Sequence, residues 1–420
     1  MRRKNTVVDG ILVGVLSFFI FWNLLSGLSF FFNGAFTKAF ISSIGIFFNL
    51  IPFAVTVGCL FVDKTCLSAK NMQYAIMFAV SFLLIFAFLA LFYGKIEVEI
   101  AICALNGAIL IALNDRLKLR CFDVMIRGAS FLFAVSALEY LLYVLAGIGI
   151  VTTSVYREID SQTFDQLLFN FINSKELFPR FQSLCEEPGV VGTISGLLLF
   201  AVHGIPRYRR QYVVFLISGL LSFSLAFYAL LFIRLFTAKT KAVYILLLIA
   251  AVTAFYLVFQ DFIDLLIVDR ISGDSLSSVD NRTSEALDMR IADAWRDGTL
   301  WFGQRDLSFM HGEDVGSGAK VFLWNYGITG ILLLFVSYLY YYVGKIKSLK
   351  SSIWACVLFF VVLWISFYQR QWIYHMDYLI IVLSVPLLHS PLYGIKRRGV
   401  KTPATAHKNS KIIKRSHFRV

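Results

Sequence analysis

The sequence is dominated by apolar runs of roughly 20 residues, the length that an α-helix needs to cross a lipid bilayer. The run Ala79–Phe92 is typical, because its apolar residues do not alternate with polar ones, which favours a helix over a strand of a barrel. Only 15% of the residues are charged, against about 25% in a soluble domain. The sequence therefore predicts an all-α polytopic membrane protein that forms a single domain, residues 1–420.

Basic residues indicate which way the chain crosses. Lysine and arginine collect on the cytoplasmic side of membrane proteins, and here they lie in short loops between apolar runs and in the tail, residues 394–420. We therefore expect both termini in the cytoplasm. The same rule accounts for the net charge of +13, so nucleic acid is not expected as a partner.

Counts of the crossings from the two ends of the chain agree only if Val213–Phe236 is a short bent hairpin. Its turn would lie near Ser222 and Ser224, and neighbouring helices would have to cover it. This interpretation keeps Arg207–Arg210 and Arg234–Lys241 in the cytoplasm, whereas a single crossing would not. The chain then makes about twelve crossings, with the hairpin counted as two: about Val7–Phe32, Phe40–Val62, Tyr74–Tyr93, Ile100–Leu113, Phe122–Val151, Gly189–Ile205, Val213–Phe236, Val243–Phe262, Val321–Val343, Ile353–Phe367 and Tyr378–Tyr393.

Two longer polar segments are predicted outside the membrane, residues 152–187 and residues 261–320. Helical spacing of apolar residues in the first predicts an amphipathic helix over Ser161–Asn173 that lies on the membrane surface. In the second, a helix is predicted over about Ser284–Trp295. The apolar residues that define these helices are Phe164, Leu167, Leu168 and Phe171 in the first, and Leu287, Ile291, Ala294 and Trp295 in the second.

The outer segments also hold most of the residues that could bind a phosphorylated substrate. Guanidinium groups bind phosphate and pyrophosphate through two parallel hydrogen bonds. The candidate ligands are Arg180, Arg282, Arg290 and Arg296, and a solvated surface charge is the alternative for each. No spacing of histidine, cysteine or carboxylate residues is typical of a metal site, so neither a metal nor a cofactor is expected.

Two residues of the outer segments are candidates for proton transfer. Glu187 precedes Pro188 and the start of a span, where it would either cap the helix or present a carboxylate that faces Arg180. His311 would be a general base or an incidental loop histidine. Trp295 would present its ring to a ligand or anchor its loop at the membrane surface.

A few charged or titratable residues lie in or near apolar runs. Charges at membrane depth usually face a cavity or a partner, which is the expectation for Glu139 and Arg127. His203, Arg234 and His389 lie near predicted cytoplasmic ends of spans and are expected to extend to the membrane surface.

Three segments, in this order and on the predicted outer side, resemble the superfamily of O-antigen polymerases and O-antigen ligases. The resemblance covers roughly residues 175–345, and each segment alone is weak. The segments are Arg180-Phe-x5-Glu187-Pro-Gly-Val-Val-Gly, the turn Leu221-Ser-Phe-Ser-Leu, and Arg290-x4-Trp295-x7-Gly303 followed by Val321-x5-Gly327-Ile-Thr-Gly.

The resemblance implies a metal-independent glycosyltransferase at the outer face of a bacterial inner membrane. Its donor would be an oligosaccharide linked to undecaprenyl pyrophosphate, and it would polymerise lipid-linked repeat units. Membrane lipid, a chain-length regulator and a flippase are the partners that it implies. In such an enzyme the predicted catalytic residues are Glu187, Arg290 and His311, and the predicted substrate ligands are Arg180, Arg282, Arg296 and Trp295.

Two alternatives remain open at this point. An O-antigen ligase would transfer the same donor glycan to lipid A-core, but the segment around Glu187 resembles the polymerase branch more closely. A flippase or transporter of lipid-linked oligosaccharide would favour repeated halves and charges deep within the spans, and the sequence shows no clear internal repeat.

Overall fold

The computed structural model describes residues 4–25, 35–94, 98–149, 151, 153–157, 162–173, 179–237, 285–304 and 318–394. The predicted span Val243–Phe262, the candidate residues Arg282 and His311, and nearly all of the basic tail lie outside the described residues.

The described chain is mostly helical. Its helices are α1 (Lys4–Leu24), α2 (Ala35–Val62), α3 (Ala69–Tyr93), α4 (Val98–Ala112), α5 (Asp115–Ala146), α6 (Pro188–Ala201), α7 (Arg209–Leu221), α8 (Leu225–Thr237), α9 (Glu285–Arg296), α10 (Ala319–Leu349), α11 (Ile353–Gln369) and α12 (Met376–Leu388). Within these residues α1, α3, α5 and α10 are long and apolar enough to cross a membrane, and shorter apolar helices accompany them. The predicted helical, multi-pass character is supported, while the number of crossings stays a prediction.

Helices α6 and α12 form the centre of the bundle. Every residue of α12 is buried, as is every residue of α6 after its first proline, and a helix that is apolar all round belongs in an interior. Pro386 of α12 has no N–H to donate to Val382 O. The hydroxyl of Tyr342, on α10, donates to that carbonyl at 2.9 Å instead, so the neighbouring helix supplies the missing hydrogen bond.

Polar contacts show which helix termini share an end of the bundle. Lys345 Nζ of α10 lies 2.5 Å from Asp115 Oδ1 at the start of α5. His389 Nε2, just after α12, lies 3.0 Å from the carbonyl oxygen of Ala201, the last residue of α6. We call this the basic end.

The opposite end, which we call the site end, holds the starts of α6, α10 and α12 and the ends of α1 and α11. Arg370, just after α11, forms an ion pair with Glu187, just before α6. Cys185 Sγ lies 3.5 Å from the carbonyl oxygen of Leu24, the last residue of α1.

The predicted bent hairpin is confirmed by α7 and α8. The two helices break at Ser222–Ser224, and a Cβ added to Gly192, near the start of α6, would lie 2.4 Å from the Cβ of Ser224. At the other end of α8, the Cζ of Arg234 lies 5.8 Å from the ring centroid of Phe200, near the end of α6. Therefore α7 runs back along α6 and α8 returns beside it, so both ends of the hairpin lie at the basic end.

The predicted amphipathic helix over Ser161–Asn173 is wrong. The strands β1 (Thr153–Arg157), β2 (Gln162–Gln166) and β3 (Phe171–Asn173) form an antiparallel sheet in the order β1-β2-β3. The first outer segment therefore carries strands where a helix was expected.

Glu139 explains why the strands form. Its carboxylate accepts hydrogen bonds from the backbone N–H groups of Leu168 and Phe169, at 2.9 Å each, and from Asn170 Nδ2 at 2.8 Å. The three donors belong to residues of the turn between β2 and β3, so the Glu139 carboxylate, on α5, holds this turn in place. The expectation that Glu139 faces a partner is confirmed, and this tertiary contact outweighs the local helical periodicity.

Candidate functional site

The site end is built around a pair of opposite charges. Glu187 occupies the N-cap position of α6, but its side chain makes no capping hydrogen bond. Its Oε2 lies 2.5 Å from Nη2 of Arg370 instead. Of the two interpretations of Glu187, a helix cap or a carboxylate that faces an arginine, the geometry matches the second. The arginine that pairs with it here is Arg370. The predicted pairing with Arg180 stays a prediction.

The two partners differ in their exposure to solvent. The Arg370 side chain is 1% exposed and the Glu187 side chain is 33% exposed. Burial by itself would lower the pKa of Arg370, but the charge and the hydrogen bond of Glu187 outweigh burial and raise that pKa above its usual range. The guanidinium also lies over the ring of Trp372, at 5.6 Å. The pair is therefore a fixed buried cation with a carboxylate that solvent can reach.

Sequence reasoning missed Arg370. It lies in a short segment between two predicted spans, on the side where basic residues are disfavoured. A lone arginine in that position is a signal that it has a carboxylate or a ligand as partner, and this signal could have identified it.

The loop that carries Arg180 packs against the hairpin. Phe181 is fully buried and its N–H donates to the carbonyl oxygen of Leu221, at the end of α7, at 3.2 Å. The Tyr140 hydroxyl donates to Pro179 O at 2.7 Å. Both neighbours of Arg180 are thus fixed, and its half-buried side chain belongs to the same end of the bundle as Glu187.

His375 is a second titratable group of the site end that sequence reasoning missed. It lies between α11 and α12, with its ring stacked on Trp372 at a centroid distance of 6.2 Å. Burial lowers the pKa of His375 to about 4. The imidazole is therefore neutral at physiological pH and can accept a hydrogen bond through one ring nitrogen.

The predicted helix of the large outer segment is confirmed as α9. Its buried residues Leu287 and Ala294 pack with Leu300 against Val321 and Trp324, in the first turns of α10. Trp295 was expected on this apolar face, but its side chain is 65% exposed. The correction matters because it leaves the indole ring available on the surface.

A cleft of about 500 Å³ lies between α9 and the start of α10. Trp295 and Arg296 contribute to its wall, together with an ion pair in which Lys320 Nζ lies 2.9 Å from both carboxylate oxygens of Asp288. Arg290 is exposed on α9. The full lining is Asp288, Ile291, Ala292, Trp295, Arg296, Leu300, Lys320 and Leu323.

Two glycines of the family-like segments are in direct contact. Gly303 and Gly327 have φ values of +77° and +69°, which residues other than glycine rarely adopt. A Cβ on Gly327 would lie 2.4 Å from the backbone nitrogen of Gly303. Gly327 also interrupts α10, so the chain that follows α9 passes against a kink in this helix.

An apolar groove of about 300 Å³ lies between α8 and α11. Its wall includes Tyr368 and Gln369, the two residues that precede Arg370 in the chain. Its other lining residues are Ala226, Ala229, Leu230, Ile365 and Ser366. The two helices that form the groove are α8, which follows the hairpin turn, and α11, which precedes Arg370. The apolar surface of the groove suits a hydrocarbon chain.

The α9 cleft belongs to the same end of the bundle as the ion pair. A Cβ on Gly318, just before α10, would lie 2.7 Å from Tyr368 O, two residues before Arg370. The ring of Phe302, which follows α9, packs 5.0 Å from the ring centroids of both Phe88 and Phe92 at the end of α3. The cleft, the ion pair and the groove therefore share the site end.

Comparisons of the chain with protein-family models, with curated proteins and with solved structures found no match. The resemblance to O-antigen polymerases stays a prediction.

Proposed function

We propose that the chain is a polymerase of lipid-linked polysaccharide repeat units, of the O-antigen polymerase type. It would transfer a glycan from undecaprenyl pyrophosphate to a sugar hydroxyl of an acceptor, at the outer face of a bacterial inner membrane. The site end would face outward, because the opposite end carries the basic loops. With the hairpin counted twice, the chain would make about twelve crossings.

The observation that carries this proposal is the position of Arg370. It is a buried cation that directly follows the wall residues Tyr368 and Gln369 of an apolar groove, and it pairs with a carboxylate that solvent reaches. A lipid-linked pyrophosphate donor is complementary to this arrangement, because its hydrocarbon chain ends in an anion. The groove would take part of the polyprenyl chain, and the guanidinium would lie where the anion begins.

In the transfer step, the bond between the donor sugar and pyrophosphate breaks and a bond to the acceptor hydroxyl forms. Negative charge grows on the pyrophosphate as it leaves, and a guanidinium held in a dry site stabilises that charge. Arg370 is added to the predicted ligands Arg180, Arg282 and Arg290 for this role.

Glu187 would act on the acceptor. Carboxylate oxygens accept hydrogen bonds, so Glu187 suits the orientation of the attacking hydroxyl. His311 stays the second candidate for the proton acceptor, and the neutral imidazole of His375 becomes a third.

The α9 cleft would hold sugar residues of one substrate. An exposed indole ring offers an apolar face for a sugar ring, and Arg296 and the pair of Asp288 with Lys320 offer hydrogen bonds to hydroxyl groups. A transporter is less well supported, because these polar groups gather at one end of the bundle. A ligase would use the same donor groups and differ in its acceptor.

The test is a gel of surface polysaccharide from a strain that lacks this protein. A polymerase predicts that the ladder collapses to core plus one repeat unit and returns with the wild-type gene. Polymer that accumulates on the lipid carrier but never reaches lipid A-core would identify a ligase. Loss of all outer repeat units would favour a transporter and would remove the basis for the site assignments.

A further inference from the structure

The basic end holds a buried arginine that the proposed reaction does not use. Arg370 and Arg234 are the buried arginines of the described residues. Arg370 is neutralised by Glu187, whereas Arg234, near the end of α8, has no carboxylate partner within the described part of the chain. Arg234 was expected to extend to the membrane surface, but it is only 5% exposed. A buried cation is costly without a countercharge.

The direct neighbours of Arg234 supply no negative charge. Its Nη1 lies 3.5 Å from the hydroxyl of Thr237, its Cζ lies over the ring of Phe200, and the Tyr212 hydroxyl is a further hydrogen-bond partner. Its Nε has no hydrogen-bond partner in the described structure. The guanidinium therefore keeps a full charge and an unused donor.

The other titratable groups nearby are histidines. His203, after α6, has its ring 6.4 Å from that of Tyr212, and His389, after α12, is bonded to the end of α6. Both histidines interact electrostatically with Arg234. We call Arg234, His203, His389 and Tyr212 the Arg234 cluster.

The surface around this cluster is also basic. Arg209 and Arg210, in the first turn of α7, are exposed. The carboxyl ends of α6, α8 and α12 converge here, and each carries a partial negative charge that helps to stabilise a guanidinium. Partial charges do not amount to an anion, so the cluster as a whole remains positive.

We propose that the Arg234 cluster binds the phosphate group of an anionic phospholipid in the leaflet at the basic end. A guanidinium without a carboxylate partner among the described residues suits a phosphate group, and exposed arginines beside it favour an anionic membrane surface. His203 is exposed, which opens the cluster to the surface. This inference does not depend on the transfer reaction.

The experiment uses the full-length protein, purified and stripped of lipid. Phosphatidylglycerol or phosphatidylcholine is added at equal concentrations, and bound lipid is counted by native mass spectrometry. We expect the wild-type protein to retain phosphatidylglycerol in preference. Arg234→Gln should bind it about tenfold more weakly or worse, the change expected from the loss of a charge-assisted hydrogen bond. Lys347→Gln is the matched control, since it removes an exposed charge of the basic end that lies outside the Arg234 cluster and its neighbouring arginines, and it should change binding by less than about threefold.

A second variant keeps the test decisive if Arg234→Gln does not fold. His203→Glu supplies a carboxylate near Arg234 and should fold without lipid, yet bind phosphatidylglycerol about tenfold more weakly, because the site already has its anion. Equal binding of both lipids by the wild type, or undiminished binding by the variants, would overturn the proposal. Displacement of the lipid by millimolar inorganic phosphate, with the same dependence on Arg234, would assign the site to soluble phosphate and would refute the lipid assignment.

Discussion

The ion pair between Glu187 and Arg370 makes a prediction about stability that depends on the unequal burial of its partners. Glu187→Gln keeps the shape of the side chain but removes the charge that pairs with a guanidinium of 1% exposure. Loss of one partner of a fully buried pair costs about 3–5 kcal/mol. Because the Glu187 side chain is 33% exposed, solvent screens part of this effect, and we expect a loss of about 2–3 kcal/mol.

The reverse substitution should be milder. Arg370→Met leaves a carboxylate that water can reach, so we expect a loss of only about 1–2 kcal/mol in the free energy of unfolding. The double variant removes both charges and should be more stable than the sum of the two single effects implies, by about 1–3 kcal/mol. If the pair acts in glycan transfer, the double variant will fold and yet produce no polymer.

The assay is unfolding in mixed detergent micelles as the fraction of denaturing detergent rises, followed by tryptophan fluorescence. Surface polysaccharide from strains that express each variant at equal levels reports activity. Additive single effects, or a Glu187→Gln variant as stable as the wild type, would refute the claim that a buried charge depends on Glu187. A fully active double variant would remove the pair from the proposed mechanism.

Three further predictions follow from the geometry of the site end. Gly327→Ala should lower the free energy of unfolding by about 2 kcal/mol or more, because it combines a positive φ with a 2.4 Å contact, whereas Gly14→Ala, with nothing within 4 Å, should be neutral or stabilising; equal effects in thermal unfolding would contradict this. Trp295→Ala should shorten or abolish polymer while it changes stability by less than about 0.5 kcal/mol, and Trp301→Ala, which lies outside the lining of the cleft, is its control on the same gel. The folded protein favours the neutral form of His375, because its pKa there is lowered to about 4. The contribution of His375 to the free energy of unfolding is therefore fully present above about pH 6.5 and is lost as the pH falls toward 4, by at most about 3 kcal/mol. If the free energy of unfolding of His375→Gln depends on pH in this window as that of the wild type does, the assignment is wrong.

Much of the fold could be predicted from apolar length and basic loops. The turn of the hairpin at Ser222–Ser224 is predicted because a bend there keeps the basic residues on either side of the hairpin on one side of the membrane. Helix α9 is predicted from the helical spacing of its apolar residues. The first outer segment was not predictable in this way. There the spacing of Phe164 and Phe171 fits a helix, but the contact that decides the structure comes from Glu139, on another helix and far away in sequence.

The candidate site was predictable only in part for a similar reason. Glu187 stood out because it precedes Pro188 at the start of a span. Its partner Arg370 comes from a segment 183 residues later, and no local pattern links the two. The density of arginines predicts Arg290 and Arg296 as phosphate ligands, and helical spacing predicts Trp295 on the apolar face of its helix. Burial does not follow from either pattern, so the exposure of the Trp295 indole is known only from the packing of α9 on α10.

The hairpin has a consequence for how the protein reaches the membrane. Helices α7 and α8 contain 13 residues each, or about 20 Å at 1.5 Å per residue, so neither spans a hydrocarbon core of about 30 Å. As one straight helix, the same residues would cross once and send everything downstream to the wrong side. Gly192 lets the turn pack closely on α6, because a Cβ at this position would lie 2.4 Å from the Cβ of Ser224. In a membrane, this bend would keep both ends of the hairpin on one side, and we expect a larger residue at position 192 to weaken the packing of the turn on α6.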